Sequence, residues 1–177
     1  MSMHVMIDLE TFGTKHDAVI VALGAVKFDP SDEFFISSKF YCTIDPSSCE
    51  AYGLSLEANT VMWWMDSARD VPRKALLGGD KLDLASALEG FSMWFGVESL
   101  PVWGNGATFD NVILRSAYNA AGIPCPWKFW HDRCFRTFKN LAPAILPKAE
   151  AAHNALEDAL AQTEQLLEVA KHLGITL

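Results

Sequence analysis

Asp8 and Glu10 stand two residues apart within His4-Val5-Met6-Ile7-Asp8-Leu9-Glu10-Thr11, a run that otherwise reads as a buried β-strand. Side chains alternate along a strand, so both carboxylates face one way, with Cα atoms roughly 6.6 Å apart, while Val5, Ile7 and Leu9 fill the opposite face. Two charges buried side by side are costly unless a cation offsets them, and a pair at this spacing can share a divalent ion. Three further residues complete a candidate set: Asp110 where a strand gives way to a helix, and His153 and Asp158 at the start of a later helix. Mg²⁺ and Mn²⁺ prefer oxygen ligands, and two of them about 3.5–4 Å apart can clamp the attacking and leaving oxygens of an in-line phosphoryl displacement. Four carboxylates neutralise two such ions. An imidazole titrates near neutral pH, which suits His153 to act as general base toward the attacking water.

The elements that must position these groups are legible in outline. Three strand-like runs, 4–10, 18–28 and 34–44, are joined by short turn-rich connections, which predicts an antiparallel meander. From residue 55 the pattern turns helical, over 55–58 and 60–65, and then over 84–95, where Leu84, Leu88, Phe91 and Phe95 recur at helical spacing. The polar stretch between, with Arg69, Arg73 and Lys74, reads as a solvated face. Leu100-Pro101-Val102-Trp103 reads as a short strand feeding the Gly104-Asn105-Gly106 turn, and a helix from Phe109 to about Ala121 follows. Asp110 is thereby placed at the carboxyl end of a strand, where ligands gather in open α/β sheets. Pro124, Pro126, Pro143 and Pro147 break up a linking region with a short helix near 132–142, and the last helix runs from about 154 to 173. Asn154 as N-cap, with Glu157 three residues on, leaves His153 outside that helix. On one continuous helix His153 and Asp158 would diverge by about 140°, whereas a histidine in the preceding loop can be aimed separately at the same site.

A chain of 177 residues, half of them hydrophobic, suits one globular domain over 1–177. No apolar run nears the roughly 20 residues of a membrane span, and Met1-Ser2-Met3-His4 lacks the basic and apolar regions of a signal peptide, so a cytoplasmic protein without membrane attachment is expected. Cys42, Cys49, Cys125 and Cys134 form no C-x-x-C pair, which predicts reduced thiols. A net charge of −8 argues against a broad basic coat for nucleic acid, yet it is compatible with an acidic centre offset by bound cations.

In this order Asp8-Leu9-Glu10-Thr11, Asn105-Gly106-Ala107-Thr108-Phe109-Asp110 and His153-Asn154-Ala155-Leu156-Glu157-Asp158 resemble the three motifs of the DEDDh, or DnaQ-like, 3'-5' exonucleases of the ribonuclease H-like superfamily. The similarity spans nearly the whole chain. It implies that Asp8, Glu10, Asp110 and Asp158 bind two divalent cations, Mg²⁺ or Mn²⁺, and that His153 is the base. It also implies an α/β fold, with a mixed five- to six-stranded sheet of three leading antiparallel strands, two further strands parallel to the first, and helices on both faces. Thr60 to Trp64 followed by Asp66-Ser67-Ala68-Arg69, and Phe129-Trp130 with Asp132-Arg133 and Arg136-Thr137, are similar to the compact branch containing phage exonucleases and a bacterial exoribonuclease. Ala107-Thr108 departs from the Asn or His often found before Phe-Asp, which bears on nucleotide contacts and not on the carboxylate.

Single strands are commonly gripped by aromatic faces. By resemblance, the residues after the acidic pair, Thr11 and Phe12, line the pocket for the terminal nucleotide. Adjacent helical residues point about 100° apart, so one of Trp63 and Trp64 belongs to the core; Trp64 is assigned to the site, and Phe109 to the core. Arg133 and Arg136, three apart on one helical face, are placed to meet a phosphate or a surface carboxylate, and Arg136 is taken as the substrate contact. The expected activity is hydrolysis of single-stranded DNA or RNA from the 3' end to nucleoside 5'-monophosphates. A phosphodiesterase acting on dinucleotides or nucleotide-linked small molecules would use the same five residues. A non-catalytic nucleic-acid-binding module of the same fold would lack one of them, and all five are present. Discrimination between DNA and RNA is left open, and relatives of this kind raise homodimerisation as an expectation with no interface readable in the chain.

Overall fold

The computed structural model describes residues 3–31, 36–97, 99–146 and 153–177. Five strands, β1 (His4–Thr11), β2 (Ile20–Phe28), β3 (Ile36–Thr43), β4 (Val102–Gly104) and β5 (Asp132–Cys134), form one mixed sheet in the order β3-β2-β1-β4-β5. β1, β2 and β3 make the expected antiparallel meander, while β4 lies parallel to β1 and β5 parallel to β4. Residues 34 and 35 of the third predicted run, and Pro147, lie outside the described residues.

Being central, β1 is covered on both faces, which explains why it is apolar at nearly every position. Val5, Ile7 and Leu9 enter one core together with residues of α4 (Leu84–Phe95) and α5 (Asp110–Ala121), including Leu88, Phe91 and Leu114. Met6 enters the other, with Phe28, Trp103, Phe135 of α6 (Phe135–Lys139) and Leu166 of α7 (Ala155–Leu173). Asp8 and Glu10 follow Met6 in the alternation, so they open beside α7. Three short helices, α1 (Pro46–Ala51), α2 (Ala58–Trp64) and α3 (Asp70–Leu77), occupy the connection between β3 and α4.

Four segments differ from expectation, each for a local reason. Residues 55–57 are extended, because Ser55 donates to the Asp17 carbonyl and accepts from Val19, and Glu57 donates to the Phe12 carbonyl. The polar stretch 67–77 is helical and not simply solvated: the Arg69 guanidinium lies 3.7 Å from the Trp63 ring centroid, and Arg73 donates to the Trp64 carbonyl at 2.7 Å and pairs with Asp70. Gly104 belongs to β4 and not to a turn, since a Cβ there would lie 2.4 Å from Asn111 Oδ1 and 3.0 Å from the Asp110 Cβ, and its absence lets α5 begin directly against the strand. The predicted helix over 132–142 divides into β5 and α6, a three-residue strand being too short to display alternation. Arg133 therefore sits on a strand and Arg136 on a helix, and they do not share a helical face.

All four cysteines are unpaired, with Cys42 and Cys49 buried, where the apolar surroundings push their thiols up to about 12 and about 11. No helix among the described residues is long and apolar enough to cross a membrane.

Candidate active site

β4 stops at Gly104, opposite Ile7, so β1 runs on without a parallel neighbour and the Leu9 N–H has no strand carbonyl to meet. The Oδ1 of Asp110, the first residue of α5, accepts that N–H at 3.2 Å and satisfies it. Asp110 is thus buried against the edge of β1 between the levels of Asp8 and Glu10. On the α7 side of the same strand, ligand oxygens of Asp8, Glu10 and Asp158 all lie within 4.8 Å of one another. Asp110 stands beside this trio and not inside it, and its charge acts on both Asp8 and Glu10.

Asp158 reaches the sheet because α7 begins unusually close to it. Gly24 of β2 lies opposite Asp8, and a Cβ on it would fall 2.2 Å from the carbonyl carbon of Ala155. A mid-strand glycine here is the seat of a helix start. The Asn154 side chain caps that start as expected, accepting from Leu156 N at 3.1 Å and Glu157 N at 3.2 Å. One turn beyond Asp158, Gln162 donates from Nε2 to Asp8 Oδ1 at 2.7 Å, fixing the carboxylate, while its own Oε1 is buried without a partner. His153 precedes the cap at φ +51°, in the left-handed region that non-glycine residues seldom adopt. Its ring stands edge-on to Trp63 and Trp64, with centroids 5.0 and 6.0 Å away.

These groups line a cavity of about 990 Å³, shared by Asp8, Glu10, Asp158 and His153 with the cations Arg136 and Lys139. Burial pushes Glu10 up to about 8, with the charges of Asp158 and then Asp110 adding to the effect. Burial likewise raises Asp8 well above the usual carboxylate range, followed by repulsion from Asp110 and Glu10, against which the Gln162 bond acts. Burial carries Asp110 up to about 7 despite the Leu9 N–H and the Arg136 charge, which favour its ionised form. The folded protein therefore holds protons that the unfolded chain has already lost, and its stability falls as pH rises from about 4.5 to about 8. Melting in EDTA is expected at a lower temperature at pH 8 than at pH 5. A divalent cation held by the ionised carboxylates should raise it more at pH 8. A metal-free melting temperature that climbs across this window would contradict the arrangement.

The remaining sequence assignments divide. Thr11 is buried at the cavity wall, its hydroxyl donating to the Gly13 carbonyl at 2.7 Å. Phe12 is half-buried, packs against the core and does not line the cavity. Trp64, assigned to the site, is 3% exposed, and its indole N–H donates to the Thr11 carbonyl at 3.0 Å; Trp63, at 39%, presents the accessible ring. The order is reversed because a buried indole needs an acceptor, and the end of β1 provides one. Phe109, assigned to the core, touches both core and cavity. Sequence reasoning missed Gln162, although its i+4 spacing from Asp158 places both on one helix face, and Gly24, although a glycine inside an apolar strand signals close backbone approach.

No curated protein matches this sequence. Among solved structures the fold resembles cell-death related nuclease 4 (TM-score 0.61, 16% identity, 98% of this chain and 65% of that one). It also resembles the zinc-bound E. coli exonuclease I complex with single-stranded DNA (TM-score 0.70, 18% identity, 98% and 42%). A third likeness is exonuclease X in complex with 5'-overhanging duplex DNA (TM-score 0.59, 17% identity, 97% and 93%). This chain spans just under two thirds of the first of these and about two fifths of the second. The likenesses establish the ribonuclease H-like α/β fold. Residues 3–170 match the 3'-5' exoribonuclease Rv2179c-like domain, nearly the full length over which β1, α5 and α7 bring their carboxylates together, and the chain belongs to that family of 3'-5' exonucleases.

Proposed function

We propose that this chain acts as a single exonuclease domain, removing nucleotides from the 3' end of single-stranded nucleic acid as nucleoside 5'-monophosphates with the help of two divalent cations. The observation that carries this reading is the meeting of the Asp8, Glu10 and Asp158 oxygens within 4.8 Å, beside Asp110 and in a cavity that also holds His153. An all-oxygen, mutually repelling donor set fits hard cations such as Mg²⁺ or Mn²⁺. When bound, such ions supply charge that stabilises the attacking and leaving oxygens of the displacement.

Asp8, Glu10 and Asp158 hold the cations, and Asp110 adds the fourth negative charge from the edge of β1. Gln162 keeps Asp8 in the orientation this requires. His153 takes a proton from the attacking water at an imidazole nitrogen, and its place outside α7 lets it be aimed independently of Asp158. Trp63 offers an aromatic surface to a base, and Arg136 and Lys139 offer positive charge to phosphates.

The test is a degradation ladder on 5'-labelled single-stranded DNA and RNA, with a dinucleotide alongside, in Mg²⁺, Mn²⁺ or EDTA. Stepwise shortening that stops in EDTA is expected; internal cutting, or full activity in EDTA, would overturn the proposal. His153→Ala should slow turnover by about 10²-fold while keeping the metal-induced rise in melting temperature. Unchanged turnover would remove His153 from the mechanism.

A further inference from the structure

We propose a second binding surface along the edge of the sheet, from Lys128 to Lys139, that carries the single strand where it leaves the cavity; the inference rests on the exonuclease reading above. Within a chain of net charge −8, this segment holds Lys128, His131, Arg133, Arg136 and Lys139 against one acid, Asp132. That acid is turned into the protein: Oδ1 accepts from Asn111 at 3.1 Å and Trp127 at 2.8 Å, and Oδ2 pairs with Arg115. The ion pairs among the described residues engage none of Lys128, Arg133, Arg136 or Lys139. Their charge is available to an anion.

Aromatic surface is interleaved with these cations. Phe129 and Trp130 are 67% and 60% exposed, and their rings meet edge to face at 5.1 Å. They immediately precede β5, the outermost strand, and α6 follows it without a break. The exposed rings, Arg133 and the cavity cations Arg136 and Lys139 therefore follow one another in sequence, from the outer strand of the sheet to the cavity. Arg133 donates to the backbone carbonyls of Trp130 and Asp132, which fixes its guanidinium at the start of β5. Stacking faces alternating with positive charge form the platform that accepts a single strand of any sequence. Exposed aromatics and arginines also suit a protein partner, but four lysines and arginines within 128–139, with the one acid of that segment turned inward, favour a polyanion.

The test separates this surface from the catalytic centre. A Phe129→Ala, Trp130→Ala double variant, which alters exposed side chains only, is compared with the parent chain in two assays. In EDTA, fluorescence anisotropy on labelled 12-nucleotide DNA and RNA should show binding weakened roughly ten-fold on both. With Mg²⁺, dinucleotide hydrolysis should be unchanged. Lys128→Gln with Arg133→Gln should flatten the salt dependence of oligonucleotide binding by about 0.7 in log–log slope for each phosphate that is no longer neutralised. Undiminished oligonucleotide binding, an equal loss on the dinucleotide, or a fall in assembly mass by light scattering, which would make the patch a contact between copies, overturns the proposal. Failure of the parent chain to shorten the labelled strand in Mg²⁺, with oligonucleotide binding behaving as stated, would sink the catalytic reading and leave this surface standing.

Discussion

Replacing Asp8 by asparagine is expected to lower hydrolysis by on the order of 10³-fold while leaving the protein at least as stable as before. The two effects have one cause. Asp8 is surrounded by the negative charges of Asp110, Glu10 and Asp158, and burial and repulsion together hold its carboxyl well above its ordinary range. An amide of the same shape removes one member of this repulsive group and still accepts from Gln162, so the metal-free fold loses a source of strain. It also removes one oxygen ligand charge from the centre, on which the proposed reaction depends. The measurements are turnover on a 5'-labelled oligonucleotide with Mg²⁺ and the melting temperature in EDTA at pH 8. Activity within ten-fold of the parent would disprove Asp8 as a ligand, and a markedly lower melting temperature would show that its role is structural.

Gly24→Ala is expected to damage both activity and stability, although the residue touches no substrate. Its Cβ would lie 2.2 Å from Ala155 C and 2.3 Å from Ala155 O, and both are backbone atoms that no side-chain rotation can clear. Overpacking costs about 1–3 kcal/mol where side chains can shift, and a clash with a helix start is at the upper end or beyond. The start of α7 must retreat, carrying His153 and Asp158 with it. A displacement of about 1 Å at a reacting centre costs roughly 10²-fold in rate. Gly90→Ala is the control: within α4 its Cβ would meet only the Phe40 ring, at 3.8 Å, and alanine should leave activity alone and add about 0.5–1 kcal/mol of stability. Equal behaviour of the two variants would refute the seating role of Gly24.

The strands and long helices were legible because their signals are periodic and local. β1 and β2 announce themselves as apolar runs, α4 by its spacing, and α7 by an asparagine cap that the structure reproduces in hydrogen bonds. The five candidate residues could be nominated from chemistry and order, and the fold brings Asp8, Glu10, Asp158 and His153 to one cavity with Asp110 beside it. What stayed hidden depends on partners distant in the chain. Arg69 and Arg73 read as solvated until Trp63 and the Trp64 carbonyl arrive beside them. The choice between Trp63 and Trp64 turned on an acceptor at Thr11, 53 residues away. β5 is a strand only because β4 lies next to it, its three residues carrying no pattern of their own. Phe12 comes two residues after Glu10, yet backbone bonds to Val19 and Glu57 fix its segment against the core.

The bond between Gln162 and Asp8 joins residues 154 apart in the chain, and the contact from Leu9 to Asp110 spans 101. Contacts of such long range form late, after the entropy of closing large loops has been met. A meander of β1, β2 and β3 can assemble from neighbours, but no carboxylate cage exists until α7 has docked on Gly24. A partly folded chain of this protein has the acidic pair without the third carboxylate that Asp158 brings to it.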